Sequence, residues 1–177
     1  MTDTAHSAAP RRRSLIIAFV DVINGLCAVV PYAVVALFIR LVMAREFFRS
    51  GQNLIEGPIV PIDLKNFATN VILPAHVKAA TFDTFQATFA SAPFPPAFAA
   101  YLFGYAEFFL PLLLVIGFAT RLSAAILFAL TVLIQLYVQP GAFWTTNVYW
   151  FTLLLVLMSC GAGTVSIDHL VRFFSAK

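Results

Sequence analysis

Charge is scarce in this chain. Asp, Glu, Lys and Arg together make 11% of the 177 residues, against roughly 25% in soluble domains. A water-soluble fold of this size needs a polar exterior, and so few charges cannot supply it. Apolar residues make 61% of the chain, so lipid is the solvent it is built for. Cysteine is equally sparse. Cys27 and Cys160 stand alone and no Cys-x-x-Cys occurs, which leaves no thiol-redox pair and no sulfur-ligated metal site. His6, His76 and His169 lie in three separate segments without helical ligand spacing, so nothing in the pattern holds a metal or a haem by this chain alone. The net charge is only +3. No Lys/Arg tract is interleaved with aromatics, so nucleic acid is excluded as a partner. Gly161-Ala-Gly163 lacks the third glycine and the preceding strand of a dinucleotide loop.

What the chain does have is long apolar runs. A bilayer-crossing helix takes about 20 of them, and four candidate spans follow: Pro31–Phe48, Pro96–Phe118, Leu122–Val138 and Val148–Cys160 with its flanks. Gln52-Asn53 and Gly57-Pro58 end the first. Thr120-Arg121 makes a tight hairpin of the second and third. Gln139-Pro140-Gly141 ends the third, and Gly161-Ala-Gly163 the fourth. The expected architecture is all-α, an integral membrane four-helix bundle with flanking interfacial helices.

One of those flanking helices is residues 14–30. Its polar positions Ser14, Asp21 and Asn24-Gly25 recur on one helical face. That suits a helix lying in the interface, behind the basic tail 1–13 with Arg11-Arg12-Arg13. A spanning role or a signal peptide is the alternative for this stretch. The membrane domain then runs over 31–170 and a short tail over 171–177. Ser166 reads as the N-cap of the last interfacial helix, with Asp168 near its positive end. Four spans put both termini on one side. Arg11, Arg12, Arg13, Arg121, Arg172 and Lys177 fall on that side, against Lys65 and Lys78 on the other. The excess orients the termini to the cytoplasm of an inner membrane.

The connection from Gly51 to Pro95 is too long to be structureless. Within it Phe82, Phe85 and Phe89 form one aromatic helical face that suits a cap on the outer mouth of the bundle.

Two charges lie inside the apolar runs. Arg40 is about 13 Å along its helix from Pro31, and Glu107 about 16 Å along its helix from Pro96, at 1.5 Å per residue. Measured from opposite faces, both fall near the midplane, so a buried Arg40–Glu107 ion pair is expected. Such a pair either fixes helix register or exposes a working carboxylate. Further out, Arg45 and Arg49 share a face, Glu46 is within i+3 of Arg49, and Tyr101, Tyr105 and Gln135 fall at a similar depth. Arg45, Arg49, Tyr101, Tyr105 and Gln135 form the candidate ligand site. Aromatics around Tyr101, Phe103, Tyr105 and Phe108 suit a quinone head group.

Three motifs, in order and on different segments, resemble the DoxX family of small four-span bacterial membrane proteins. They are Arg40-Leu-Val-Met-Ala-Arg-Glu-Phe-Phe-Arg-Ser50-Gly51-Gln52; Ala106-Glu107-Phe-Phe-Leu-Pro111-Leu-Leu-Leu-Val-Ile-Gly117-Phe-Ala-Thr120-Arg121; and Gly161-Ala-Gly163-Thr-Val-Ser166-Ile-Asp168. The resemblance covers roughly Ala36 to Leu170. It implies a helical bundle tied to redox membranes, since the family takes its name from a small subunit of a quinone-linked oxidoreductase. The chain departs from that pattern where the family carries a Lys, here Asn53-Leu54, and where relatives carry a His, here Thr145-Thr146-Asn147. The functional expectation is a subunit or scaffold of a membrane redox system, with a redox partner protein and a quinone or lipid site. No cofactor is expected to be bound by this chain alone, and homo-oligomerisation stays open. The alternatives are a catalytic quinone-linked oxidoreductase subunit, or a small transporter or metal-stress component. A transporter would show repeats or broken helices, which only Gly104 and Pro111 hint at.

Overall fold

The computed structural model describes residues 15–27, 30–64 and 67–175; the basic tail 1–13 lies outside them. The chain divides into two units, Met1–Pro31 and Tyr32–Lys177. The first contains α1 (Leu15–Cys27). At 13 residues it is shorter than the roughly 20 a crossing needs.

The second unit is mostly helical. Its elements are α2 (Tyr32–Leu54), β1 (Ile55–Glu56), β2 (Ile59–Leu64), β3 (Phe67–Ile72), β4 (His76–Val77), α3 (Ala79–Thr88), α4 (Pro96–Ile116), α5 (Thr120–Leu133), α6 (Val148–Cys160) and α7 (Ile167–Ser175). α5 continues as a wider π turn over Ile134–Val138, and a second one, Phe143–Asn147, leads into α6. Among the described residues, three helical stretches are long and apolar enough to cross a membrane: Pro96–Ile116, Thr120–Val138 and Pro140–Cys160. α2 has the length but carries Arg40, Arg45, Glu46 and Arg49. α2 packs on α4, α4 on α5, α5 on α6, and α6 back on α2.

The expected first span stopped at Phe48, but the helix runs six residues further, to Leu54. Tertiary contacts hold this polar extension. Gln52 donates to the Ile72 carbonyl at 3.0 Å and accepts from the Ile72 N–H at 2.6 Å. Gly51 is buried against α4. A Cβ there would meet the Glu107 carbonyl carbon at 2.7 Å and its oxygen at 2.8 Å. That close approach has a cause in α4. Pro111 has no N–H to give the Glu107 carbonyl four residues earlier, and the side-chain-free Gly51 lets α2 lie against the freed group. α4 itself is continuous through Gly104 and Pro111, so neither breaks it.

α4 opens with Pro96 at its first turn and ends at Gly117. Gly117 is left-handed, with φ 70°, and the Phe118 N–H returns to the Leu113 carbonyl at 3.0 Å. Ala119 follows, also left-handed at φ 47°, a conformation that costs a non-glycine residue about 1 kcal/mol or more. Asp168 holds it. Its two carboxylate oxygens accept from the Ala119 N–H at 2.7 Å and the Thr120 N–H at 2.9 Å, so a residue of α7 caps α5. Ser166 caps α7 as expected, accepting from the His169 N–H at 3.2 Å. α7 runs to Ser175, well into the stretch read as a tail.

The all-α expectation needs one correction. Between α2 and α3 lie two short antiparallel ladders, β1 with β4 and β2 with β3. β2–β3 is in register from Ile59 opposite Ile72 to Leu64 opposite Phe67. The short run Ile59-Val60-Pro61-Ile62, rich in β-branched residues and preceded by Gly57-Pro58, is too short for a helix and fits a hairpin strand. The expected aromatic helix is present as α3. Phe85 and Phe89 are buried, Phe85 lies edge-on to Phe103 with ring centroids 5.4 Å apart, and Phe82 lies edge-on to Tyr101 at 5.1 Å. α3 is tied down by the Thr81 hydroxyl and the Lys78 N–H, both donating to the Leu54 carbonyl.

Candidate functional site

A cavity of about 280 Å³ lies between α2, α3, α4 and the α5–α6 region. Its walls are aromatic: Phe47 from α2, Phe85 and Phe89 at α3, Phe103 from α4 and Trp150 from α6. Phe47 and Trp150 contact each other at 5.5 Å, and Phe89 meets Phe103 at 5.7 Å. Set among these rings are Glu46 and Ser50, one turn apart on α2, Thr84 and Thr88, one turn apart on α3, and Glu107 on α4. Gln139 lies after the π turn that ends α5.

Glu107 is the chemical centre of this cavity. It is 1% exposed, and the Ser50 hydroxyl hydrogen-bonds to its carboxyl. The second carboxyl oxygen, Oε2, has no hydrogen-bond partner in the protein. A buried polar atom left unpaired costs roughly 1–3 kcal/mol. An unpaired carboxyl oxygen on a residue that lines a cavity is a partner left for a ligand to satisfy.

Arg40 lies elsewhere. It is also 1% exposed, and its Nη2 donates to the Val165 carbonyl at 2.5 Å, with Asp168 and Tyr32 as its charged and polar neighbours. Its guanidinium packs on Gly117, where any side chain would collide with Nη1. Tyr32 donates to the Gly161 carbonyl at 2.8 Å, and Arg121 to the Ser159 carbonyl at 3.0 Å. This second cluster ties α2, the α4–α5 turn, the end of α6 and the start of α7 together.

The expected Arg40–Glu107 pair is not formed. The α2–α4 register shows why. Gly51 lies opposite Glu107, and Arg40 lies opposite Gly117. Arg40 is eleven residues before Gly51, about 16 Å along the helix at 1.5 Å per residue. Counting each residue from its own helix start assumed that the two helices begin at equivalent depths. In fact α4 reaches beyond α2 at the α3 end, where Tyr101 and Phe103 pack on Phe82 and Phe85 and Gly104 lies against Val77 of β4.

A model of the DoxX family, described simply as DoxX, matches residues 35–140. The chain belongs to the DoxX family. With its three apolar membrane-length helices, it is a multi-pass membrane protein. No curated protein and no solved structure matches it.

In this DoxX protein the five residues expected to form a ligand site do not converge. Arg45 is exposed and pairs with the adjacent Glu46 at 2.5 Å, so Glu46 is not held by Arg49. Arg45 lines instead a shallow apolar groove with Leu41, Ala44, Phe48 and Pro111. Arg49 is exposed. Tyr101 is half exposed and stacks on Tyr105 at 6.4 Å. Gln135 donates to the Pro140 carbonyl and accepts from Asn147 Nδ2, both at 2.7 Å, and so joins the two π-turn segments. None of the five lines the cavity. Depth alone had grouped them; Tyr101 and Tyr105 meet each other, while Arg45 and Gln135 each bond elsewhere. Of the aromatics expected around a head group, Phe103 does line it. Ser50, Thr84, Thr88, Gln139 and Trp150 were missed. The i,i+4 pairs Glu46/Ser50 and Thr84/Thr88 were a legible signal, because each marks a polar stripe one turn long beside buried phenylalanines.

Proposed function

We propose that the protein spans the bacterial inner membrane four times, with both termini in the cytoplasm, and serves a membrane redox system as a subunit that holds a small polar-headed lipophile. α2 is the fourth span in this reading. Its charges are tolerable there because Arg40 is buried on the Val165 carbonyl and Glu46 faces the cavity. The Lys/Arg asymmetry of the connecting segments supports the orientation. In that orientation the cavity lies in the outer half of the bundle, beneath α3.

The observation that carries the reading is the buried Glu107 carboxyl, with one unpaired oxygen, in an aromatic-walled cavity. Concave, mostly apolar sites with a few convergent polar groups are where small ligands bind. At about 280 Å³, the space admits a head group of ring size while a longer tail stays in lipid. A quinone head is the class implied by the DoxX resemblance.

Mass spectrometry of extracts from protein purified in mild detergent tests this. Quinones are to be scored among the retained species. One lipophile per chain is expected in the wild type. It should be lost from Thr88→Phe, which fills the cavity from α3 and gives up only an intrahelical hydroxyl bond. Equal retention by wild type and Thr88→Phe, or an empty wild type that also takes up nothing added, would refute the reading.

A further inference from the structure

The cavity's polar groups are unevenly divided between donors and acceptors. A carboxyl accepts only when ionised, the form a cationic ligand would hold, and two carboxyls are present, Glu46 and Glu107. The three hydroxyls are already committed as donors. Thr84 gives its proton to the Ala80 carbonyl at 2.8 Å and Thr88 to the Thr84 carbonyl at 2.7 Å. The Ser50 hydroxyl is spent on Glu107. With both carboxyls ionised, these five side chains have acceptors and no free donor to offer a ligand. Against them stand two donors, the exposed Gln139 amide and the Trp150 indole N–H. No Lys, Arg or His lines the cavity among the described residues. Arg45 binds Glu46 from the exposed side, and Lys78 donates to the Asn53 carbonyl outside the cavity.

A quinone brings acceptors to a wall that is itself mostly acceptors. An ammonium brings two or three N–H donors and a charge opposite to that of the carboxyls. The ring faces of Phe47, Phe85, Phe103 and Trp150 add to that preference, since aromatic faces attract a desolvated cation. We infer that the cavity takes an amphiphile whose head is a protonated primary or secondary amine, donating to Glu107 Oε2 and lodged among these rings. This rests on the ligand-holding reading above and names the chemical class of the ligand.

Three probes with a common tail separate the possibilities: decylamine, decanol and a decyl-substituted benzoquinone. Tritiated decylamine should bind the purified full-length chain saturably at neutral pH, where the amine is charged. Excess decanol or decylbenzoquinone should not displace it. Glu107→Gln, which keeps the shape and removes the charge, should weaken binding at least about tenfold, the size expected for loss of a charge-assisted bond. Thr88→Phe should abolish it, which keeps the test decisive if Glu107→Gln does not fold. Displacement by the quinone at lower concentration than by unlabelled amine would overturn the cationic class and leave the ligand-holding reading intact. Displacement by decanol as effective as by amine would overturn it likewise. Absence of saturable binding for both labelled amine and labelled quinone would overturn both readings.

Discussion

Replacing Gly51 tests the α2–α4 contact on which the cavity depends. An alanine methyl there would lie 2.7 Å and 2.8 Å from the Glu107 carbonyl carbon and oxygen, and 3.0 Å from the Phe108 nitrogen. All three are backbone atoms, and ordinary contact begins near 3.4 Å, so no rotamer change relieves the clash. α2 and α4 must separate by several tenths of an ångström along the length where they touch. Overpacking of a tight interface costs about 1–3 kcal/mol. Alanine recovers about 1 kcal/mol of helix propensity over glycine. The expected net loss for Gly51→Ala is therefore up to about 2 kcal/mol, and Gly51→Leu should lose more. Gly141 provides the control. It has open space around its missing Cβ, so Gly141→Ala should stay within about 0.5 kcal/mol of the wild type. Reversible unfolding in mixed detergent micelles, followed by helical signal, measures all three variants. If Gly51→Ala exceeded the wild type, or Gly51→Leu matched it, the close approach of α2 to α4 would be refuted.

Three further outcomes are expected. Asp168→Ala should remove both acceptors that hold Ala119 and Thr120, at about 1–3 kcal/mol. Hydrogen exchange at those two amides should rise, less so in Asp168→Asn, and unchanged protection in the alanine variant would contradict the cap. Arg40→Gln and Glu107→Gln should each change stability, but independently. Side chains this far apart without shared partners combine within about 0.3–0.5 kcal/mol, so a larger coupling in the double variant would restore the direct pair. For topology, single cysteines at Asp83 and Ser175, in a chain lacking Cys27 and Cys160, should behave oppositely: the first labelled by impermeant reagent on intact cells, the second only after permeabilisation. Labelling of both in intact cells would overturn the orientation proposed.

How far the site was legible varies by residue. Glu107 stood out at once, because a carboxylate within an apolar run has few innocent explanations. Phe85 and Phe89 were legible as a stripe, because helical spacing places them on one face. The Arg40–Glu107 pairing was not legible, because it depended on how far α4 slides along α2. That offset is set where Gly51 and the Pro111-freed carbonyl of Glu107 meet, a contact between positions 56 residues apart in the chain. The cluster of Arg45, Arg49, Tyr101, Tyr105 and Gln135 failed for a related reason. Residues at one depth meet only if their helices also turn those faces toward each other.

Composition by itself determined the solvent: with charge at 11%, only lipid accommodates the apolar surface. Local sequence determined where helices begin and stop, through Pro96 at the start of α4, Gly117 at its end and Ser166 before α7, because caps and glycines act within a turn of the chain. Only the tertiary structure decided that Asp168 caps α5 as well as standing in the first turn of α7, and that Arg40 serves the Val165 carbonyl. It alone decided that Ser50, Thr84, Thr88 and Glu107 line one space. Each of those depends on the relative slide and rotation of helices distant in sequence, which packing sets and residue spacing along a single segment does not encode.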